Sequence, residues 1–441
     1  MEQRRKNLTQ LFIPICLETL LYMLSGMVDT LMLSFVNDQA VGAVGTANTY
    51  IGIFIIMFSV ISSGMVAVMT QNIGAGRPGV AYQARQLGLT FNAVLGIIIS
   101  LILTFGAGAI LAGVGVADAL MQPARTYLQI VGGFCILNAL IPICSSYLRA
   151  FGFSKEPLYA SIIGNVINFC LNAFFLFVLH KGVAGVATAT VISRIINLVI
   201  VVLLGAVLVK AKQHPERESN RAVMGQIIRI GLPSACETAI YNVSMTLVIR
   251  FLNQMDAQGL NVTARSYTMQ ITNFSYCVGA ALAQANAIMT GWHIGAKEYD
   301  ACDRGTKKAA VIGVIVAVIL ETVFTLCSGW IMQLFSKDPQ MVSLVGKLLA
   351  IDIVLEIGRV TNLVYGQALK TSGDAVFPVV MGVCFMMLCS VGGTYLFGIR
   401  LGLLAVGAYI GMAGDECVRA IGMYLRWKSG KWKEKGLVKS R

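Results

Sequence analysis

At 441 residues the chain has room for two or three soluble domains of about 150 residues each, yet 56% of it is hydrophobic and only 12% is charged, against roughly a quarter charged in soluble domains. A mean hydropathy of +0.75 leaves too little polar surface to face water and excludes a soluble fold. The formal net charge of +13 does not indicate a nucleic-acid partner, because its distribution among the loops is a topology signal and no nucleic-acid-binding motif accompanies it.

The opening segment MEQRRKN is basic and leads straight into apolar sequence. No short apolar region with a small-residue cleavage site follows, so this segment is expected to be retained. Apolar stretches near or above ~20 residues then recur from end to end, each long enough to cross a bilayer core. They predict helices over 9–36, 41–70, 83–112, 125–150, 158–179 and 183–209, and a second set over 226–254, 262–290, 309–335, 341–369, 377–397 and 402–427. The polar run KAKQHPERESNR at 210–221 separates the sets. The expected organisation is an N-lobe over 1–209, a linker over 210–225, a C-lobe over 226–427 and a basic tail over 428–441. The fold class is an all-α membrane protein with twelve transmembrane helices in two parallel, pseudo-symmetric six-helix lobes.

Loop charge alternates along this order. One side collects Arg4, Arg5, Lys6, Arg77, Arg85, Arg149, Lys155, Lys210, Lys212, Arg217, Arg221, Lys297, Arg304, Lys307, Lys308, Lys370 and the tail RWKSGKWKEKGLVKSR. The other has only Arg125, Lys181, Lys337, Lys347 and Arg400. The positive-inside rule puts the first side, with both termini, in the cytoplasm. Compact loops and short tails suggest a bacterial cell membrane. The 11 cysteines show no Cys-x-x-Cys pair and read as small packing residues. His180, His214 and His293 are too scattered for a metal site.

The two sets repeat each other. PICLETLLY at 14–22 matches PSACETAIY at 233–241 in Pro, Glu, Thr and Tyr. Ile73-Gly74-Ala75 matches Ile294-Gly295-Ala296, LRAFGFSKEP at 148–157 matches LKTSGDAVFP at 369–378, and Gly182 and Val186 match Gly402 and Val406. Six helices per half is an even number, so both halves enter the membrane in one orientation. Such a parallel repeat places a binding cavity between lobes that rock.

Ionisable residues inside predicted spans each cost at least ~2.5–3.5 kcal/mol on insertion scales and are functional-site hypotheses by default. They are Glu18, Asp29, Arg194, Glu237, Arg250, Glu321, Asp352, Glu356, Arg359, Asp415, Glu416 and Arg419. Glu356 with Arg359 and Asp415 with Arg419 can pair on one helix face, which suits a static role. Glu18 and Glu237 occupy equivalent repeat positions, where structure and function are both open. Glu321 shows no partner. Asp29, on helix one, has no basic residue three or four positions away, so it can hold a proton or, among oxygen ligands, a small cation such as Na⁺. Asn168 and Asn172 share a face of helix five, and Thr188 and Thr190 lie on helix six. These polar residues supply either such ligands or interhelical hydrogen bonds. Helix eight carries Gln270, Asn273, Gln284 and Asn286 with Met269, Phe274 and Tyr276. That mixture suits either the lining of a permissive substrate cavity or polar packing.

Taken in order, IPICLETLLYMLSGMVDTLML, QNIGAGRPGVAYQAR, LRAFGFSKEP, NVINFCLN, GVAGVATATVIS and EIGRVTNLVYGQALKTSGD resemble the multidrug and toxic-compound extrusion (MATE) family over nearly the whole chain. The resemblance implies two lobes around a central cavity and export of amphipathic, often cationic, organic compounds against H⁺ or Na⁺ entry. It implies no other cofactor, no enzyme activity, and a protein working as a monomer in the bilayer. The family's N-lobe cation site falls on Asp29, Asn168 and Thr190. Asn172 stands where some members have a second aspartate, which removes a charge and leaves the ion open. Acidic C-lobe residues used by some members have their nearest counterparts in Glu237 and the Glu356–Arg359 pair.

A lipid-linked saccharide flippase and a narrow-substrate metabolite exporter share this fold and remain alternatives. A flippase would draw on Arg194, Arg250 and Arg265 for pyrophosphate. A major-facilitator carrier would carry an acidic–basic loop where QNIGAGRPGVAYQAR stands. A membrane enzyme would need a nucleophile or metal constellation that the sequence does not display, and no G-x-x-x-x-G-K-[ST] motif occurs. The repeat and the paired intramembrane charges favour alternating access over a static pore.

Overall fold

Hydrocarbon offers backbone groups no water to bond, so a chain that crosses it closes its hydrogen bonds within helices or a barrel. In the computed structural model every described regular element is helical. The structure describes residues 6–113, 116–210, 215–256, 258–333 and 335–438; Arg4, Arg5, Lys212 and His214, named above as loop or scattered residues, lie outside them.

Two units divide the chain, Met1–Leu232 and Pro233–Arg441. The first contains α1 (Leu8–Ser34), α2 (Asp38–Gly74), α3 (Pro78–Phe105), α4 (Ala107–Gly113), α5 (Asp118–Gly133), α6 (Ile136–Ala150), α7 (Lys155–Ala173) and α8 (Gly182–Leu208). The division falls inside α9 (Asn220–Met255), at Pro233. The second unit continues with α10 (Leu260–Gly295), α11 (Tyr299–Leu326), α12 (Ser328–Met332), α13 (Pro339–Ser372), α14 (Val376–Phe385) and α15 (Leu404–Lys428).

Seven of these helices are long and apolar enough to span a bilayer by composition alone, and α5 with α6, bent by 43° at their junction, form an eighth. The remaining spans of the twelve-helix fold are α9, α10, α13 and α15, long helices whose polar residues lower their hydropathy. Several helices outrun their predicted ends. α9 begins at Asn220 rather than 226, α10 runs to Gly295 rather than 290, and α11 starts at Tyr299 rather than 309. The added turns of α9 and α11 carry charged residues such as Arg221, Asp300 and Asp303, so they fall outside an apolar window, but nothing in them breaks a helix. In the other direction, predicted helix three stops at Phe105, where Gly106 turns the chain before α4. Helix five closes with a π-helical segment at Phe174–Val178, and α14 continues through π-helical segments at Met386–Val391 and Thr394–Arg400.

The repeat is written into the turns. Left-handed backbone occurs at Gly76 and Lys297, at Gly152 and Gly373, and at Gly182 and Gly402, each pair at matching repeat positions. Glycine adopts such φ values without steric cost. At Lys297 the same turn is kept without a glycine, which shows that the loop is held by the two helices it joins.

In the first unit α2 packs against α3, α5 and α6, while α7 lies between α1 and α8. Here α2 crosses the start of α9 with backbones in direct contact: a Cβ on Gly64 would sit 1.9 Å from the Ile227 carbonyl oxygen, and one on Gly231 would sit 1.6 Å from that of Val60. In the second unit α13 is the central helix, packed on α10, α11 and α15. Large apolar side chains remain on outer faces, for example Val311, Ile315, Ile319 and Leu326 along α11 and Val94, Ile98, Leu101 and Phe105 along α3. A soluble protein rarely exposes stripes of this size; a bilayer covers them.

The basic tail is docked rather than free. Trp432 stacks on Trp427 with ring centroids 4.2 Å apart, and its indole N–H donates to the Trp427 carbonyl at 2.9 Å. The Trp427 indole N–H in turn donates to Asp303 at 2.8 Å, so the tail is tied to α11 as well as α15.

The α2–α9 crossing gives a direct test. Gly231→Ala forces a methyl into backbone that has no rotamer to yield, and is expected to lower the melting temperature of the purified protein by about 5 °C or more, the scale of a severe overpacking defect. Gly225→Ala on the same helix, whose Cβ would meet nothing within 4 Å, should leave it unchanged.

Candidate functional site

In the first unit the folded chain gathers polar groups from five helices. Asn172, fully buried on α7, donates from Nδ2 to Asp29 Oδ1 on α1 at 2.6 Å. The same amide nitrogen lies 3.2 Å from Asn168 Oδ1 one turn earlier. Asn172 Oδ1 is buried without a hydrogen-bond donor. Thr190 on α8 is buried, but its hydroxyl donates to the Val186 carbonyl at 2.9 Å. Thr188 likewise donates to Ala184. Of the residues predicted as a cation site, Asp29, Asn168 and Asn172 are therefore joined directly, while the Thr190 donor is spent on its own helix and only its lone pairs remain.

Arg194, one turn after Thr190, acts electrostatically on Asp29. The sequence listed it among intramembrane charges but gave no reason to couple it to Asp29, since the two lie 165 positions apart. Tyr127 on α5 is a further neighbour of both, and it is bonded to Asn48 on α2. The Asp29 carboxylate is only half-buried. The site thus combines an accessible carboxylate, a buried amide with a free carbonyl oxygen, and a cation at longer range.

The repeat positions Glu18 and Glu237 acquire equivalent partners. Arg149, in the last turn of α6, bonds Glu18 at 2.6 Å. Lys370, in the last turn of α13, bonds Glu237 at 2.6 Å. The basic members are also repeat equivalents, so one ion pair is built twice. The sequence placed these cations only among the basic loop residues; their carboxylate partners came from a helix more than 130 residues away.

In the second unit α13 and α15 carry a connected charge network. Arg359 is paired with Glu356 and lies 3.7 Å from Glu416. Arg419 holds Asp415 through two nitrogens at 2.9 and 2.8 Å, and Glu416 at 2.8 Å. Asn362 donates to Glu416 at 3.0 Å and Ser390 to Asp415 at 3.0 Å. The sequence spacing placed the two intrahelical pairs; the bond from Arg419 to Glu416 and the approach of Arg359 to Glu416 tie them into one. Glu321 of α11, which had no visible partner, is fully buried close to Asp352 and Glu356.

On α10, Met269, Gln270, Asn273 and Tyr276 share an exposed face, and Gln284 is half-buried further along it. Arg265, Thr268, Thr272 and Ser275 point into the unit. The Arg359 guanidinium lies 5.9 Å from the Tyr276 ring centroid, so the charge network approaches this mixed polar face.

A family model described as MatE matches residues 14–174 and 233–396, two segments that begin at the repeat-equivalent prolines. The chain belongs to the MatE family. MatE proteins are multi-pass membrane transporters. "Uncharacterized transporter YisQ" of Bacillus subtilis (strain 168) is 34% identical over 431 residues, covering 96% of this chain and 94% of that protein. "Probable multidrug resistance protein NorM" of Thermotoga maritima is 22% identical over 98% of this chain and 94% of its own. The MatE fold is matched by the solved structure of "MATE in the straight conformation", with a TM-score of 0.87 at 19% identity, covering 97% of this chain and 96% of that one.

The duplicated ion pair is testable by charge reversal. Glu18→Gln, Arg149→Gln, Glu237→Gln and Lys370→Gln each strand a largely buried charge, and each is expected to cost about 2 kcal/mol. The reversals Glu18→Arg with Arg149→Glu, and Glu237→Lys with Lys370→Glu, should recover more than half of that loss in thermal melts.

Proposed function

We propose that the protein exports amphipathic, often cationic, organic compounds by alternating access, driven by entry of H⁺ or Na⁺, with Asp29 as the coupling carboxylate. The observation that carries this reading is the Asn172–Asp29 hydrogen bond at 2.6 Å beside an unpartnered Asn172 carbonyl oxygen. With Asp29 ionised, the Asn172 N–H₂ group satisfies one carboxylate oxygen and the charge of Arg194 offsets the rest. A proton on Asp29 creates an O–H donor, and Asn172 Oδ1 is the buried acceptor waiting for one. A small cation instead would draw on Asp29, Asn172 Oδ1, Asn168 Oδ1 and the Thr190 lone pairs, all hard oxygens. Either event changes the bonding between α1 and α7, and that change is the proposed link to outward release of substrate.

The exposed face of α10, with Gln270, Asn273 and Tyr276, is the proposed substrate contact in the second unit, and Gln284 its deeper end. The multidrug names of relatives such as the Thermotoga maritima protein support this substrate class. The positive loops support a bacterial cell membrane with both termini cytoplasmic, and the protein is proposed to work as a monomer there. The flippase alternative asks for unneutralised arginines. Arg194 stands in the field of Asp29, and Arg265 is buried against Met245 at 3.7 Å, which leaves Arg250 alone exposed and favours export of cations. Glu237, held by Lys370, is assigned to the scaffold, and Glu356 and Arg359 to the network behind α10.

The test is efflux of a fluorescent organic cation from drug-sensitive cells at matched expression. Asp29→Asn should reduce efflux at least tenfold, and Asn172→Ala should weaken it less. In proteoliposomes, imposed H⁺ and Na⁺ gradients then identify the driving ion. Full activity of Asp29→Asn would overturn the coupling role.

A further inference from the structure

The basic tail is fixed in place by apolar anchors that leave its charges outward. Gly430, at φ +71°, turns the chain at the end of α15, and Lys431–Glu434 form a short 3₁₀ turn. Trp432 is buried against the rings of Trp427 and Tyr299, at centroid distances of 4.2 and 5.9 Å. Further on, the Lys435 carbonyl passes over the left-handed Gly373 turn, where any Cβ would collide with it, and Leu437 is buried. Lys431, Lys433 and Lys435 alternate with or lie between these anchors, and all three are exposed.

The two helices that hold the tail bring further cations to the same end. On α11, Arg304 and Lys308 are exposed and follow helical spacing into Val311, Ile315 and Ile319, which are 53–58% exposed. The basic pair therefore stands at the head of a lipid-facing stripe. From Lys308 to Leu326 the helix rises about 27 Å at ~1.5 Å per residue, close to the ~30 Å thickness of a bilayer core, so Lys308 sits at headgroup level. On α15 the exposed Ile421 and Leu425 lead in the same way to the exposed Lys428. The Trp427–Asp303 hydrogen bond joins the two helix ends, and Lys433 acts electrostatically on Asp303. Lys307 is already paired with Asp303 at 2.8 Å. Among the described residues Arg304, Lys308, Lys428, Lys431 and Lys435 form no ion pair, and the exposed acids nearby in sequence are Asp300 and Glu434. A topology signal asks only for cations somewhere in a loop; it does not ask for a docked tail that presents them beside lipid-facing stripes. Nor does the helix start require them, since the repeat equivalents of Arg304, Lys307 and Lys308 on α3 are Gln83, Gln86 and Leu87.

We propose that this end of the second unit is a headgroup site for anionic phospholipid. Arg304, Lys308 and Lys428 meet the phosphate at the ends of their helices, Lys431, Lys433 and Lys435 supply the surrounding field, and the acyl chains lie along the Val311–Ile319 and Ile421–Leu425 stripes. Long basic side chains reach a headgroup from an apolar stem in this way, and clustered Lys and Arg beside a span attract anionic lipid. Because the tail is seated on α11, α15 and the Gly373 turn, an occupied site holds these elements together. The assignment uses no residue of the Asp29 site and does not rest on the transport reading.

The experiment measures lipid retention by the purified full-length protein in detergent, counted by native mass spectrometry, together with thermal melts. Phosphatidylglycerol should be retained at least fivefold more strongly than phosphatidylcholine, should raise the melting temperature, and should lose this advantage at high salt. Arg304→Gln with Lys308→Gln, and separately Lys431→Gln with Lys433→Gln and Lys435→Gln, should each weaken phosphatidylglycerol retention at least fivefold while leaving the lipid-free melting temperature unchanged, because these side chains are exposed. Lys155→Gln with Lys210→Gln, exposed cations of the first unit, should change neither. Trp432→Ala keeps every charge but unseats the tail, and should weaken retention at least threefold. Equal retention of the two lipids, retention indifferent to the second-unit substitutions or equally sensitive to the first-unit ones, or full retention by Trp432→Ala would each overturn the site. So would inorganic phosphate alone reproducing the rise in melting temperature, since the ligand would then be a free anion rather than a lipid.

Discussion

A charge carried into hydrocarbon must be neutralised there, and most of what distinguishes this protein follows from that constraint. Insertion of an isolated ionised side chain costs several kcal/mol, so most intramembrane acids are placed where another helix, or their own next turn, supplies a counter-charge or donors. Glu18 meets Arg149, Glu237 meets Lys370, and Asp415 with Glu416 meets Arg419. The first two bonds join helices far apart in sequence, and they give a bundle of otherwise interchangeable apolar helices a specific order. Non-directional burial, which drives soluble folding, has little to offer between helices surrounded by lipid.

The same constraint separates scaffold from site. In the duplicated ion pairs each carboxylate is met by a cation from another helix. Where compensation is incomplete, as at Asp352 Oδ2 and Glu356 Oε2, buried carboxylate oxygens are left without a hydrogen-bond partner. The two units are built from one plan, yet they keep their unsatisfied groups in different places: the first on α1 and α7, the second on α11 and α13. Duplication preserved the ion pair and the left-handed turns, and the other intramembrane carboxylates differ between the units.

Much of the architecture was legible from hydropathy, loop charge and the repeat. The repeat marked Pro14 with Pro233 and Arg149 with Lys370, and these proved to be the family-model starts and the basic halves of two equivalent ion pairs. Helix ends were the least legible: the predicted third helix ran on past Phe105, where Gly106 turns the chain. The polar extensions of α9, α10 and α11 carry no apolar signal, and the docking of Trp432 on Trp427 rests on a stacking geometry that composition does not encode. At the candidate sites, helical spacing revealed the Glu356–Arg359 and Asp415–Arg419 pairs, because partners three or four residues apart are forced together by one helix.

By itself, then, the sequence determined the number and order of the spanning helices, since those depend on local apolarity. It also determined which residues are costly in a membrane. Only the tertiary structure decided which of those costs are met and by whom: that Asn172 reaches Asp29, that Arg194 stands in its field, that Glu18 belongs to Arg149, and that Glu321 is brought to Asp352 and Glu356 with no donor of its own. The physical reason is that neutralisation in hydrocarbon acts between side chains a few ångströms apart, and that proximity is a property of packed helices rather than of any one of them.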